Sequence, residues 1–381
     1  MAPWLGRAAL THALARIAQS TSILIAAVVV TLPAANAGDT PTFAVDASWP
    51  KQLPNNWILG QVGGITVDAQ GHIWVIHRPR SLTDDEKGAS LNPPRSKCCV
   101  SAPPVLEFDA DGNLLRSWGG PGAGYEWVGR EHGIEVDPAG FVWVGGNADN
   151  DNAILKFTLD GKFVAQIGKI APSLGSNDTT QLGKPAETAL DKDANEIYVA
   201  DGYGNRRVIV FDATTLAYKR HWGAYGNKPN DDKQPPYDPK APPPQQFANP
   251  VHCVKLSNDG LVYVCDRINN RIQVFKKDGS FVKEFFFEKN TLGNGAVWDI
   301  AIWPDPKQTW LLSADGENNE IRVIKRDDGS VVGTFGHNGR NAGQFHWIHA
   351  MAIDAKGNVY TAEVDTGKRI QKFKLTSDAL K

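Results

Sequence analysis

Three histidines with similar local surroundings are the residues best placed to do chemistry in this chain. His132, His252 and His349 each stand immediately before a short run of alternating residues of β type. Three imidazoles that leave coordination positions open are typical of catalytic zinc, although imidazole also suits iron, copper and nickel. The chain has nine histidines in all, so three of them at equivalent positions is improbable by chance. We therefore predict one metal ion, zinc first among the candidates, on these three side chains.

A tyrosine and two arginines stand at comparable places after other predicted strands. Tyr203 follows Asp-Gly, Arg78 follows His77, and Arg267 follows an aspartate. Arginine holds a carboxylate with two parallel hydrogen bonds, and a tyrosine beside a metal and cations can act as a base. We predict that Tyr203, Arg78 and Arg267 form the catalytic set around the metal. His77 is expected to look toward the same place as its neighbour Arg78.

A repeated unit of short strands must position these residues. Each copy has an alternating strand, a turn rich in Gly, Asp and Asn, a second strand with an aromatic residue, and a third strand. A fourth strand follows in several copies after an Asp-Gly turn, which is a hairpin signal. Four antiparallel strands, six times over, predict an all-β, six-bladed β-propeller. We expect residues 42–45 to close the ring by pairing into the last blade. The six copies begin at Gly64, Gly133, Glu187, Cys253, Asp299 and Ala350.

The residue just before each first strand gives the geometric basis of the metal prediction. Equivalent positions in such a propeller differ by a rotation of about 60° per blade, and the innermost strands line the central channel. Histidines in alternate blades therefore converge on the axis. Unrelated histidines in strand-entry loops are the alternative. In blade order the six residues are Gly63, His132, Ala186, His252, Trp298 and His349.

The composition and the first residues limit where the protein acts. Its 381 residues carry a net charge of −2, which gives no basic face for nucleic acid. Arg7 and Arg16 precede an apolar run at residues 23–30, and a small-residue cleavage site ends at Ala37. This is the layout of a signal peptide, and the run is shorter than the roughly 20 residues that span a membrane. We predict a signal peptide at 1–37, a single propeller domain at 38–381, and a periplasmic or secreted protein without a membrane segment. Its oligomeric state is left open.

Two inserts and four cysteines complete the organisation. The inserts at 79–104 and 227–246 are polar and rich in proline. We expect surface loops, with an active-site lid as the alternative. Cys253 and Cys265 flank a predicted turn symmetrically, so a disulfide or two packed thiols would fit. Cys98 and Cys99 match no zinc pattern.

With these residues in place, the sequence resembles the NHL-repeat propellers and, within them, peptidylamidoglycolate lyase, the lyase of peptide α-amidation. The resemblance extends from about residue 60 to residue 375. The matching segments are Ile76-His77-Arg78, Glu131-His132-Gly133-Ile134, Asp201-Gly202-Tyr203-Gly204, Pro250-Val251-His252, Cys265-Asp266-Arg267 and Ile348-His349.

The resemblance implies a reaction and a role for each site residue. That family breaks the C–N bond of a peptidyl-α-hydroxyglycine to give a peptide amide and glyoxylate. By resemblance, the three histidines would bind zinc, Tyr203 would take the substrate hydroxyl proton, and Arg78 or Arg267 would hold the carboxylate. The family's aspartate after its last zinc histidine, which is involved in structural calcium, is Ala350 here. A calcium site is therefore doubtful. The family's Met-Pro before that histidine is Trp347-Ile348.

Three function classes follow. The first is a zinc-dependent lyase acting on a small-molecule or peptide α-hydroxyglycine. The second is a non-catalytic NHL propeller that binds a partner and has a structural metal. The third is a hydrolase or lactonase with a calcium centre, which would need a ring of oxygen ligands rather than imidazoles.

Overall fold

A computed structural model describes residues 40–380 of the protein. The predicted signal peptide at 1–37 lies outside the described residues. Strands dominate the described part, in which the only helices are short 3-10 turns at Pro79–Ser81, Gly88–Ser90 and Ala224–Gly226. Among the described residues, no helix has the length and apolar character needed to cross a membrane.

The strands are numbered in chain order. The first thirteen are β1 (Phe43–Val45), β2 (Trp57–Ile58), β3 (Gln61–Val67), β4 (Ile73–Arg78), β5 (Val100–Ser101), β6 (Val105–Phe108), β7 (Leu114–Trp118), β8 (Glu131–Val136), β9 (Phe141–Gly146), β10 (Asp151–Thr158), β11 (Phe163–Ile170), β12 (Glu187–Asp191) and β13 (Glu196–Asp201). The remainder are β14 (Arg207–Asp212), β15 (Tyr218–Trp222), β16 (Val251–Leu256), β17 (Leu261–Asp266), β18 (Arg271–Lys276), β19 (Phe281–Phe286), β20 (Asp299–Ile302), β21 (Trp310–Asp315), β22 (Glu320–Lys325), β23 (Val331–Phe335), β24 (Ile348–Ile353), β25 (Val359–Glu363) and β26 (Ile370–Leu375).

Six four-stranded antiparallel sheets form the six blades, which confirms the predicted propeller. In blade order the sheets are β3-β4-β6-β7, β8-β9-β10-β11, β12-β13-β14-β15, β16-β17-β18-β19, β20-β21-β22-β23 and β24-β25-β26-β1. The last sheet closes the ring, because β1 pairs with β26 and sets Phe43 opposite Leu375. This confirms the predicted closure by residues 42–45.

A hydrogen-bonded turn explains why the repeat folds as it does. The Asp68 carboxylate accepts hydrogen bonds from the backbone N–H groups of Gln70 and His72 and from the indole N–H of Trp74. One side chain therefore fixes both the first turn and the buried aromatic residue of the second strand. The same bond recurs from Trp143 to Asp137 and from Tyr360 to Asp354.

The hydrophobic core lies between blades. One cluster joins Tyr198 and Trp222 of blade 3 to Val254 and Phe275 of blade 4. Because each blade buries its apolar faces against its neighbours, the ring supports the axial strands from all sides. The axis is therefore a rigid place on which to build a site.

The inserts and cysteines are placed as follows. The insert at 79–104 lies between β4 and β6, and its strand β5 pairs with β2 in parallel. The insert at 227–246 lies between β15 and β16. Cys253 and Cys265 face each other across β16 and β17 and form a disulfide, and Cys98 is bonded to Cys99.

Candidate functional site

Each of the three histidines sits in an irregularity of an inner strand. The pairing register shifts between Glu131 and Ile134, between Val251 and Cys253, and between Ile348 and Ala350. These shifts bracket His132, His252 and His349 in turn. A β-bulge redirects a side chain out of the regular alternation of a strand. Without the bulges, these three side chains would follow the pleat of the strand. The bulges therefore turn them toward the channel.

The three imidazoles meet on the axis and form the histidine layer (His132, His252 and His349). One ring nitrogen of each lies within 4.8 Å of one ring nitrogen of the other two. The ring centroids are 4.6 to 5.1 Å apart. All three side chains are buried, with residue exposures of 2 to 3%. Three ring nitrogens gathered in this way are the kind of donor set that holds a single zinc ion.

Carbonyl groups of the neighbouring blades orient two of the rings. The Nδ1–H of His132 donates to the carbonyl of Ala186 at 2.8 Å, and that of His252 donates to the carbonyl of Trp298 at 2.5 Å. Each acceptor is the equivalent residue of the next blade. His349 has no such acceptor, since its Nδ1 lacks a hydrogen-bond partner among residues 40–380. Bonds of this kind fix the tautomer and leave Nε2 without a proton, which is the form that binds a metal.

Burial keeps the histidine layer uncharged. Desolvation first, and then neighbouring cations and imidazoles, hold the pKa of each of the three histidines well below its usual range. Neutral imidazole is the form that ligates a metal. The donor set, its tautomers and its protonation state therefore all suit a zinc ion.

Tyr203 lies against the free side of the histidine layer. Its phenol oxygen is 3.0 Å from Nε2 of both His132 and His252. Gly202 brings this tyrosine close to the inner strand of blade 4, because a Cβ at that position would lie 2.0 Å from the Val251 carbonyl oxygen. Only glycine permits this approach of the backbone.

Both predicted arginines also reach the site. Arg267 donates from Nη1 to the Tyr203 phenol oxygen at 3.2 Å, and its Nε has no hydrogen-bond partner in the described chain. Arg78 donates to the Glu131 carbonyl at 2.7 Å and to the side chain of Gln61 at 2.8 Å. Burial and the nearby Arg130 lower the pKa of Arg78 to about 10. Both arginines keep N–H groups free for an anion.

The prediction that His77 faces the axis is wrong. His77 is fully buried inside blade 1, where its Nδ1 accepts a hydrogen bond from the Gly60 N–H and its Nε2 donates to the Pro103 carbonyl. Burial lowers its pKa to about 4. Adjacent residues of a strand point to opposite faces, so Arg78 and His77 cannot both face the channel. His77 is a structural histidine.

A cavity of about 270 Å³ opens above the histidine layer. Neither insert contributes a residue to its wall, which favours surface loops over lids. Asn147 Oδ1, like Arg267 Nε, is a buried atom without a partner among residues 40–380. An acceptor and a donor are thus available for a ligand. The wall is formed by Gln61, Arg78, Arg130, Asn147, Tyr203, Arg267, Asn294, Trp298, Trp347, His349, Val364 and Asp365.

Several wall residues were not predicted, although the repeat contains a signal for some of them. Gln61, Arg130 and Trp347 each stand two positions before the axial residue of their blade. All three stand at or just before the start of an inner strand, and their side chains line the mouth of the channel. Aligning that position across the six repeats selects these three together with Lys184, Pro250 and Ala296, which do not line the cavity.

Beside the histidine layer the channel contains a carboxylate layer, defined by Glu135, Glu187, Asp299 and the ammonium group of Lys255. Lys255 bonds Glu187 and lies 3.4 Å from Asp299. Burial raises the pKa of Glu187 to about 8 and that of Glu135 to about 7. Calcium does not fit this arrangement, because the Lys255 ammonium group already pairs with Glu187 and Asp299, and the Ala350 side chain offers no oxygen ligand.

The fold and the site define the class: the chain is a six-bladed β-propeller with an NHL repeat, whose family model matches residues 251–275. It is 27% identical to NHL repeat-containing protein 3 of Mus musculus, over 88% of this chain and 85% of that protein. It is also 28% identical to the probable peptidyl-α-hydroxyglycine α-amidating lyase of Caenorhabditis elegans, over 82% of each.

A further relative and a solved structure complete the comparison. Peptidyl-α-hydroxyglycine α-amidating lyase 1 of Drosophila melanogaster is 27% identical, and the match covers 87% of this chain and 60% of that protein. The chain thus resembles proteins named as amidating lyases and also an NHL protein that is not so named. A streptogramin B lyase structure superposes with a TM-score of 0.50 at 14% identity, covering 90% of this chain and 100% of the other. At that identity it shows the shared fold alone.

Proposed function

We propose that this protein is a zinc-dependent lyase that breaks the C–N bond of a peptidyl-α-hydroxyglycine or a related carbinolamide and releases glyoxylate. The observation that carries the proposal is the position of Tyr203. Its phenol oxygen lies 3.0 Å from two ring nitrogens that would hold the metal and 3.2 Å from Arg267. The similarity to proteins named as amidating lyases supports the same reaction class.

His132, His252 and His349 would hold the zinc. When bound, zinc supplies a Lewis acid that polarises an oxygen atom of the substrate. The other residues of the cavity then act on the remaining parts of the molecule. Arg78 presents free N–H groups to the carboxylate of the α-hydroxyglycine, a match that a guanidinium makes well, while Arg267 donates to the Tyr203 phenol oxygen. This fixes the carbon that bears the hydroxyl group over the histidine layer.

Proton transfer falls to Tyr203. Acting as the general base, the phenol oxygen takes the hydroxyl proton, the hydroxyl oxygen becomes the aldehyde oxygen of glyoxylate, and the C–N bond breaks. The bonding electrons go to the nitrogen, which receives the same proton from Tyr203 and leaves as an amide. Atoms and charge balance without a redox partner. General acid–base catalysis of this kind contributes about 10² to 10⁴ in rate.

The test is glyoxylate release from α-hydroxyhippurate by the zinc-loaded protein and its Tyr203→Phe variant. We expect turnover in the wild type and a fall in kcat of about 10²-fold or more in the variant, with its zinc content unchanged. Tyr125→Phe is the matched control, since that hydroxyl bonds a loop carbonyl away from the cavity. Zinc-loaded wild type that releases no glyoxylate would refute the lyase.

The proposal includes export from the cytoplasm. The disulfides Cys253–Cys265 and Cys98–Cys99 support it, because such bonds persist in oxidising compartments. N-terminal sequencing of the protein recovered from the periplasm or medium of a producing cell should start at Gly38. A chain recovered from the cytoplasm with residues 1–37 intact would contradict export and leave the lyase assignment unaffected.

A further inference from the structure

The wall of the cavity has arginines in blades 1, 2 and 4 and tryptophans in blades 5 and 6. Arg78 and Arg130 belong to blades 1 and 2, whereas Trp298 and Trp347 immediately precede the inner strands of blades 5 and 6. Blades 2 and 5 are opposite each other in a ring of six. A carboxylate held by Arg78 and Arg130 therefore has Trp298 across the cavity from Arg130, and Trp347 in the blade next to Arg78.

The two tryptophans form a fixed corner. Their ring centroids are 5.6 Å apart at 67°, an edge-to-face contact. Trp298 is 2% exposed, and its indole N–H donates to the Gly295 carbonyl at 2.7 Å. The Arg267 guanidinium lies 4.3 Å from the centre of its ring. The half-buried Trp347 supplies the more accessible face of the corner.

Trp347 is held in a backbone conformation that a tryptophan rarely adopts. Its φ is +53°, in the left-handed region that favours glycine. Two bonds enforce it: its N–H donates to Asn319 at 2.7 Å, and its carbonyl accepts the Val364 N–H at 3.1 Å. Strain of this kind is concentrated at functional sites. Glycine would adopt this backbone conformation without strain. We therefore attribute the tryptophan at this position to a role of its indole ring in the cavity.

The cavity is also small. Its volume of about 270 Å³ lies just below the roughly 300–1,000 Å³ of pockets that take drug-sized ligands. Once a carboxylate and a hydroxyl group lie over the histidine layer, the remaining space takes one compact group. A flat ring stacks against an indole better than an aliphatic group of similar size does.

We infer that Trp347, together with Trp298, is the specificity-determining wall for the acyl group, and that the substrate is an α-hydroxyglycine whose amide carries a compact aromatic acyl group. The inference rests on the proposed function for the reaction but not for the binding preference. The scissile amide then lies between the arginines and the tryptophan corner.

The test compares benzoyl with acetyl compounds. In the zinc-loaded wild type, kcat/KM for N-benzoyl-α-hydroxyglycine, which is α-hydroxyhippurate, should exceed that for N-acetyl-α-hydroxyglycine about tenfold or more. Trp347→Gly should bring this ratio close to one, because glycine accepts the backbone conformation and removes only the ring. Trp347→Phe should retain most of the preference. Trp57→Ala, which removes a half-buried tryptophan outside the cavity wall, should keep the wild-type ratio.

Binding of unreactive analogues separates this inference from the lyase reaction. N-benzoylglycine and N-acetylglycine lack the hydroxyl group and cannot be cleaved, so calorimetry reports their affinity alone. We expect the wild type to bind the benzoyl compound about tenfold more tightly, and Trp347→Gly to lose that difference. If the protein cleaves neither substrate but keeps the binding preference, the lyase proposal fails and the wall stands. If the benzoyl-to-acetyl ratio were the same in wild type and Trp347→Gly, the assignment of Trp347 as the specificity-determining wall would be wrong.

Discussion

The histidine layer and the carboxylate layer are neighbours along the channel: the first lies on β8, β16 and β24, and the second on β8, β12, β16 and β20. The first gathers three neutral imidazoles, with one ring nitrogen of each within 4.8 Å of the others. The second pairs the ammonium group of Lys255 with Glu187 and Asp299, and Glu135 lies near by. In both layers the propeller places side chains on the axis. The chemistry of those side chains decides whether the layer is suited to an added cation. One layer is suited to a cation from solution, whereas the other is neutralised from within the chain.

The largest expected effect is the loss of the internal cation. Lys255→Met leaves Glu187 and Asp299 buried without their counter-charge, which should lower the free energy of unfolding by about 3 kcal/mol at pH 8. Protonation of the carboxylates relieves the repulsion, so the deficit should shrink at pH 5. Chemical denaturation at both pH values measures it. Lys356→Met, which removes an exposed lysine, is the control, and equal stability of the two variants would show that the layer needs no internal cation.

The next effect is the response of the histidine layer to added metal. A ligand that binds only the folded state stabilises it by about 2.7 kcal/mol at a hundred times its Kd. Zinc should therefore raise the Tm of the wild type and leave that of His252→Ala unchanged. Thermal unfolding with zinc or with a chelator measures this. A zinc response that survives in His252→Ala would place the ion elsewhere.

A smaller effect is the pH dependence that Glu135 contributes. Glu135 accepts a hydrogen bond from Thr66 and faces Lys255, Asp137 and Asp299, and burial raises its pKa to about 7. A raised pKa means that its stability contribution is complete below about pH 4.5 and is lost as the pH rises through 7. Between pH 4.5 and pH 8.5 the free energy of unfolding should therefore fall by about 1–2 kcal/mol less in Glu135→Gln than in the wild type. Parallel pH profiles of the two proteins would contradict this.

The smallest effect concerns the difference among the histidines themselves. His132 has a carbonyl partner for Nδ1 and His349 has none in the described chain. In metal-free protein, His132→Ala should therefore lower the free energy of unfolding by about 1 kcal/mol more than His349→Ala does. This difference is the value of one hydrogen bond. Urea unfolding in the presence of a chelator measures the difference. The reverse order would indicate that His349 has an unseen partner such as water.

The repeat made the fold and the three histidines predictable from sequence. Six copies with the same turn and aromatic positions specify the blades, and equivalence under rotation brings alternate blades to one point. The bulges were not predictable, because they depend on how two strands pair rather than on a residue pattern. A bulge also changes which residues of a strand share a face. Lys255 and Glu135, three positions beyond the axial residues of their blades, were therefore not placed in the channel.

His77 and Trp347 show the same limit at single residues. The end of β4 was identified correctly, but the face that each residue occupies there was not, and only Arg78 reaches the cavity. Trp347 was noted only as a departure from the resembling family. Its role in the wall depends on the φ angle set by Asn319 and Val364, which belong to other strands or loops. Contacts between distant segments decide such details.

Elemental analysis of the purified protein tests the central claim most directly. Wild type and the variants His132→Ala, His252→Ala and His349→Ala would be loaded with zinc, freed of excess metal and measured alongside Lys255→Met. A site built by three converging imidazoles predicts about one zinc per chain in the wild type and in Lys255→Met, and far less in every histidine variant. Wild type without bound metal, or histidine variants that retain the full amount, would contradict it.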